Sequence, residues 1–131
     1  MIDCPFCPEI IGGKLPDERI FAFSADFNAI YDGFPISHGH TLIIPKRHIQ
    51  FFNDLNRAES ADLVEMIHYV KEILDDEFKP DAYNIGINDG PAAGQTMPHL
   101  HVHIIPRYKG DVYDPRGGVR WIIPTKADYW T

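Results

Sequence analysis

The chain has 131 residues, enough for one compact domain with a modest hydrophobic core, and its formal net charge is −7. This acidic balance argues against a long nucleic acid as partner, because neutralising many phosphates requires a basic surface. No apolar run approaches the roughly 18 residues needed to span a bilayer. The N-terminus also lacks the basic and apolar regions of a signal peptide. We therefore expect a cytoplasmic protein that binds neither nucleic acid nor membrane.

The first third of the chain contains three predicted strands. Ile20–Ser24 and Ala29–Tyr31 are separated by a turn near Asp26, and the β-branched run His40–Pro45 forms the third strand. Asp32 and Gly33 begin the loop that leads to this third strand.

A long helix is predicted over residues 57–77. Asn56 and Glu59 have the spacing of a capping box. The apolar residues that follow recur at helical spacing and form one stripe: Leu63, Met66, Ile67, Val70, Ile73 and Leu74. The polar face includes His68, which we assign to solvent and not to a functional site.

Two more predicted strands, Ala82–Asn88 and 99–107, flank a glycine-rich loop at 89–96. Most strands are joined by short loops, and the helix separates two groups of them. The sequence therefore predicts an α+β fold, with a mainly antiparallel five-stranded sheet and one long helix. We expect a single domain over 1–131, with a core at 1–107 and a C-terminal arm at 108–131.

Three histidines alternate with apolar residues in the last predicted strand. Because successive side chains of a strand point to opposite faces, His99, His101 and His103 are expected to line one face. Histidine has an unperturbed pKa near neutrality, so such a face suits chemistry better than a core. The glycines of the preceding loop would let backbone N–H groups approach an anion, with Gln95 and Thr96 adding polar contacts.

The two cysteines, Cys4 and Cys7, form a C-x-x-C pair. In a cytosolic chain such a pair is more often a metal or redox site than a structural disulfide. Two thiolates supply half of a tetrahedral zinc site, so other ligands would have to come from elsewhere in the chain.

The arm combines cationic and aromatic side chains, which could hold a second phosphate or a base. The simpler interpretation, which we favour slightly, is that the arm packs on the domain or at a dimer interface. These residues are Tyr108, Lys109, Tyr113, Arg116, Arg120, Trp121, Tyr129 and Trp130.

Taken together, these motifs resemble the histidine triad superfamily of nucleotidyl hydrolases and transferases. The resemblance rests on Asn88-Asp89-Gly90, Gly94-Gln95-Thr96 and His99-x-His101-x-His103, preceded by the run His38–His48 with its G-H-x-L-I-I-P element. It covers the chain from Cys4 to about Arg107.

The resemblance implies attack on the α-phosphate of a nucleotide and a covalent nucleotidyl-histidine that is then hydrolysed. His101 would be the nucleophile, His103 would hydrogen-bond the phosphate or leaving group, and His40 would fix imidazole tautomers. Asp32 would contact the ribose hydroxyls. The phosphates would be held by the side chain of Asn88 and by the backbone around Gly94, Gln95 and Thr96.

The resemblance further implies a structural zinc bound by Cys4, Cys7, His48 and His99, with no open position and no catalytic cofactor. It also implies a homodimer. The expected substrates are diadenosine polyphosphates or nucleoside phosphoramidates, with release of a nucleoside monophosphate. Three alternatives stay open: nucleotidyl transfer to phosphate or a sugar phosphate, a non-catalytic nucleotide-binding module, and a catalytic zinc held by the three alternating histidines.

Overall fold

The computed structural model describes residues 17–131. In this part of the chain five strands form one antiparallel sheet with the spatial order β1-β2-β3-β5-β4. The strands are β1 Ile20–Phe23, β2 Phe27–Tyr31, β3 Thr41–Pro45, β4 Ala82–Ile87 and β5 Val102–Arg107. One long helix, α1 (Arg57–Phe78), joins β3 to β4, and a one-turn helix, α2 (Pro124–Ala127), lies near the C-terminus. The predicted α+β fold is confirmed.

Helix α1 begins at the predicted capping box. The Asn56 side chain accepts a hydrogen bond from the Glu59 amide at 2.8 Å, and the Glu59 carboxylate accepts one from the Asn56 amide at 2.9 Å. The helix extends one residue beyond the predicted end and stops at Lys79, whose φ of 50° is left-handed. His68 is exposed, as predicted. None of the described helices has the length and apolar content needed to cross a bilayer.

The main core lies between α1 and one face of the sheet. The buried stripe of the helix packs against alternate residues of β2, β3 and β5, which include Phe27, Ile43 and Ile104. The stripe consists of Leu63, Met66, Val70 and Leu74. Because side chains alternate along a strand, the residues between these alternate positions point to the face of the sheet away from α1.

His103 lies on the face of the sheet away from α1. In the register of the sheet it is opposite Leu42 of β3 and Gly86 of β4. Leu42 belongs to a second, smaller buried cluster with Ile30 and Ile44. The candidate site is therefore built on the face that the helix does not cover, beside this second cluster.

The strand predicted over 99–107 is three residues too long at its start, since β5 begins at Val102. Pro98 has no amide hydrogen to give to a strand ladder. The Leu100 amide donates to the Ile49 carbonyl, which lies outside the sheet, at 2.6 Å. His99 and His101 therefore precede the strand, and of the three histidines His103 is the one within it.

The C-terminal arm folds back onto the sheet. Its segment Gly118–Ile122 contacts β4, and Arg120 donates to the carbonyls of Lys126 and Ala127. The rings of Trp121 and Tyr129 both pack edge-on against Trp130. Packing on the domain, one of the two roles considered for the arm, is thus observed.

Candidate active site

His40 and His103 are joined directly by a hydrogen bond of 2.9 Å between His40 Nε2 and His103 Nδ1. The Ile36 amide donates to His40 Nδ1 at 3.2 Å, so that nitrogen is an acceptor. Neutral His40 therefore carries its hydrogen on Nε2 and donates it to His103. It follows that neutral His103 carries its own hydrogen on Nε2.

Burial keeps this pair of imidazoles neutral. Burial is the largest cause that lowers the pKa of His103, to about 4, and the neighbouring His101 and His40 lower it further against the opposing effect of Asp32. Burial likewise lowers the pKa of His40, with Asp32 acting in the opposite direction. At neutral pH the site offers a neutral N–H donor at His103 and no imidazolium at this position.

His101 has a different tautomer, fixed by its own backbone neighbour. Its Nδ1 lies 3.0 Å from the His99 carbonyl oxygen, which can only accept, so Nδ1 bears the hydrogen. The lone pair of neutral His101 is therefore on Nε2. The rings of His101 and His103 lie 5.2 Å apart, edge to face. The ring that carries the nucleophilic nitrogen and the ring that carries the N–H donor are thus neighbours.

His99 is separated from the other two histidines of the triad. It is fully buried, and its Nε2 donates to the Pro45 carbonyl at 2.8 Å. Its Nδ1 lies 3.2 Å from Nδ1 of His48. Two nitrogen ligands of tetrahedral zinc, each at 2.0–2.1 Å from the ion, are about 3.3 Å apart, so this spacing fits a shared zinc. The other two expected ligands, Cys4 and Cys7, lie outside the described residues.

Asp32, His40 and His103 also lie close enough to be considered as metal ligands, with one ligand atom from each within 4.8 Å of the others. The hydrogen bonds argue against a metal there. His40 Nδ1 accepts a hydrogen bond from the Ile36 amide, and His40 Nε2 carries a hydrogen that it donates to His103. Both nitrogens of His40 are therefore already used in hydrogen bonds. This cluster is a hydrogen-bonded network.

Asp32 lies at the end of β2 beside the histidine pair. One carboxylate oxygen accepts from the Phe34 amide at 2.9 Å, which forms a local turn, and the other lies 3.4 Å from His40 Nε2. The carboxylate thus reaches the candidate site, while its predicted contact with ribose hydroxyls stays a prediction.

The glycine-rich loop uses several of its polar groups internally. Gln95 is 8% exposed; its side chain accepts from the Gly90 amide and donates to the Gln50 carbonyl. The amides of Gly94 and Gln95 donate to the carbonyls of Pro91 and Gly90. The expectation that these two residues offer their N–H groups and the Gln95 side chain to phosphate does not fit this arrangement, in which they brace the loop.

Asn88 and Thr96 remain on the surface of the loop. Asn88 follows Ile87, which is paired with Val102, so the antiparallel register brings Asn88 level with His101. Its side chain also lies against Gly94, whose φ of 99° a side chain would strain. Asn88 and Thr96 are therefore better candidates for contact with a phosphate than Gly94 and Gln95.

A family model described as the HIT domain matches residues 14–110, nearly three quarters of the sequence. The chain belongs to the HIT domain family. It is 48% identical over 77 residues to a Schizosaccharomyces pombe protein named bis(5'-nucleosyl)-tetraphosphatase [asymmetrical], covering 59% of this chain and 42% of that one. It is 38% identical over 118 residues to a Saccharomyces cerevisiae bis(5'-adenosyl)-triphosphatase, covering 88% and 54%. The chain thus spans about half the length of these relatives.

Solved structures of HIT proteins share the fold. A Bacillus subtilis member has a TM-score of 0.74 at 32% identity, with 84% of this chain and 77% of that one covered. A Zn-bound histidine triad protein from Mycobacterium smegmatis has a TM-score of 0.71 at 36% identity, covering 85% and 79%. The Plasmodium falciparum diadenosine triphosphate hydrolase has a TM-score of 0.71 at 28% identity, covering 76% and 68%.

Two contributors to the HIT site were not anticipated from the sequence. Ile36 acts through its backbone amide, so its residue type carries no signal. Ser37 contributes its carbonyl, which accepts from the His40 amide at 3.2 Å. Their position immediately before the H-G-H run was the available clue, since a loop that delivers a buried histidine must hold its backbone in place.

Proposed function

We propose that this HIT domain hydrolyses dinucleoside polyphosphates and releases a nucleoside monophosphate. The observation that supports it is the tautomer of His101, which puts the lone pair on Nε2 of a ring that neighbours His103. The two yeast relatives, named as a tetraphosphatase and a triphosphatase of dinucleosides, support the substrate class.

The chemistry would proceed in two steps. His101 Nε2 attacks the α-phosphorus, the bond to the bridging oxygen breaks, and the remaining nucleotide leaves with that oxygen. Water then attacks the nucleotidyl-histidine and displaces the imidazole. His103 Nε2–H would donate to the transferring phosphate or the leaving oxygen, where negative charge grows. His40 orients His103 through their shared hydrogen bond.

The test is product analysis with diadenosine tri- and tetraphosphate. We expect AMP from the wild type, and a loss of about a thousandfold or more in rate for His101→Ala. His68→Ala, which changes an exposed histidine on α1, is the matched control and should retain full rate. A parallel reaction with inorganic phosphate separates the alternative acceptor, because transfer to phosphate would yield ADP. If the wild type leaves both substrates intact, the proposal fails.

We further propose that Cys4, Cys7, His48 and His99 hold a structural zinc. The 3.2 Å spacing of the two Nδ1 atoms and the Zn-bound relative from Mycobacterium smegmatis support it. When bound, the ion would cross-link the N-terminus to the start of β5. Four protein ligands would leave it no position for substrate.

Zinc content measured by mass spectrometry tests this ligand set. Purified wild type should contain about one zinc per chain, Cys4→Ser should lose it, and His101→Ala should keep it. Loss of zinc in His101→Ala would instead favour a catalytic metal held by the triad histidines.

We also propose a homodimer formed through β4 and α1. β4 is an edge strand of the sheet, and Ile85 on it is 41% exposed. Its partner in the register, Ile104, points into the helix-side core, so Ile85 also lies on that side. Val64 and Tyr69 on α1 are exposed as well. Val64 shares its face of α1 with Lys71, whose ammonium lies over the Tyr83 ring of β4. Val64 and Ile85 therefore flank the unpaired edge of β4 on the helix side, which favours association.

A further inference from the structure

A cleft of about 620 Å³ lies between the histidine face of the sheet and the C-terminal arm. Asn84 and Ile105 line it on the sheet, Ser37 lines it on the loop before His40, and Val119 and Trp121 line it on the arm. Its volume is within the range of small-molecule sites. Ser37 contacts the site described above through its carbonyl, which accepts from the His40 amide, whereas the other four residues lie outside that site.

The cleft continues directly from the catalytic histidines. Ile105 follows His103 by two residues on the same face of β5, a distance of about 7 Å along the strand. On the other wall, Ser37 accepts the hydrogen bond of the His40 amide through its carbonyl. A ligand attacked at one phosphate by His101 could therefore extend along β5 into the cleft.

Ser37, a residue of the cleft wall, also carries a buried hydroxyl that lacks a hydrogen-bond partner. Within the described part of the chain, its Oγ is the one buried side-chain nitrogen or oxygen that has no hydrogen-bond partner. Leaving such a group unsatisfied is costly, and a rotation of the Ser37 side chain toward the cleft would give the hydroxyl a partner on a bound ligand.

The charges of the lining indicate what part of a ligand the cleft accepts. The cation in its wall, Arg107, is held by both oxygens of Asp111 and by Asn84. Asp114, also in the wall, pairs with Arg116. Because Arg107 is already held by Asp111, the described residues of the lining offer no unpaired cation to a phosphate, whereas Trp121 and the apolar residues of the lining suit the flat ring of a nucleoside.

We propose that this cleft binds the nucleoside of the leaving nucleotide, the half of a dinucleoside polyphosphate that is not transferred to His101. Trp121 would contact its base, and Ser37 would hydrogen-bond its polar edge. The inference rests on the proposed function and extends it, since the cleft would favour a substrate with two nucleosides over one with a single nucleoside. The arm would then act as a specificity element.

The test compares two ligands that share the adenylyl half. Diadenosine triphosphate carries a second nucleoside, whereas AMP, the half that is transferred to His101, does not. For Trp121→Ala we expect the KM for diadenosine triphosphate to rise about tenfold, the scale of one stacked base. The inhibition constant of AMP against that substrate should change by less than about twofold. Tyr129→Ala is the matched control, because Tyr129 also packs on Trp130 but does not line the cleft.

Ser37→Ala provides a second measurement that does not depend on the folding of the arm. It should also raise the KM for diadenosine triphosphate selectively, while thermal stability is unchanged or higher because a buried unsatisfied hydroxyl is removed. The inference is overturned if Trp121→Ala weakens the binding of AMP by the same factor, or if neither variant changes the KM for diadenosine triphosphate. If the wild type does not cleave diadenosine triphosphate at all, the proposed function itself has failed.

Discussion

A hydrogen bond between neutral His40, which is buried, and neutral His103, which is half-buried, requires complementary tautomers. The chain achieves this with one backbone amide, from Ile36, which sets the tautomer of His40 and through it that of His103. The price is sensitivity to acid, because protonating either ring places a charge in a site that is poorly solvated.

The pH dependence of stability should report this. In the folded protein the pKa of His103 is lowered to about 4, whereas in the unfolded chain it titrates near its ordinary value of 6.5. Between these values the unfolded chain binds more protons, so the free energy of unfolding falls as pH decreases from about 6.5 towards 4. His40, whose pKa is also lowered, contributes with the same sign.

Urea unfolding at about pH 7 and about pH 5 measures this loss. His103→Gln should lose less stability than the wild type between the two pH values, because one of the two responsible groups is gone. His68→Gln removes an exposed histidine instead and should keep the wild-type difference. An equal loss in His103→Gln would show that this ring does not carry the effect.

The contact between His40 and His103 could not be predicted from local spacing. The two residues are 63 positions apart, and they meet because β3 and β5 are neighbours with Leu42 opposite His103. The resemblance to a family suggested that His40 orients imidazoles, but the partner and the tautomers depend on this register.

At the scale of elements, the helix was the easiest part to predict. Its apolar stripe, its capping box and its bounds to within one residue follow from local spacing, because a helix is stabilised by contacts between near neighbours. The histidine strand was predicted too early because the alternation of apolar residues continues through Leu100. The Leu100 amide nevertheless donates to the carbonyl of Ile49, which lies outside the sheet, and local sequence does not reveal this contact.

The capping box makes a direct prediction for the helix. Asn56→Ala removes the acceptor for the Glu59 amide and should lower the free energy of unfolding by about 1 kcal/mol. Chemical denaturation at neutral pH measures it. Glu65→Ala, in the exposed middle of the same helix, is the control and should cause no loss, because alanine has the higher helix propensity. A loss of similar size in both variants would contradict a specific role for the cap.

At the scale of the whole molecule, the sheet has one face for the core and one for chemistry. Helix α1 covers the first face, while the second carries His103, the cluster around Leu42 and the cleft under the arm. This division leaves β4 with one side bonded to β5 and the other unpaired within the described chain. A sheet edge flanked by exposed apolar side chains is the natural place for a second copy to bind.

The proposed homodimer can be tested through that edge. The chain has a mass of 15.0 kDa, so a dimer elutes as a species of about 30 kDa in size-exclusion chromatography with light scattering. Ile85→Lys should shift it to the monomer mass, because a two-fold axis brings two added charges together at the edge. Ile122→Lys, at an exposed position on the arm, should leave the dimer intact. A wild type that elutes as a monomer, or an Ile85→Lys variant that remains a dimer, would contradict association through β4.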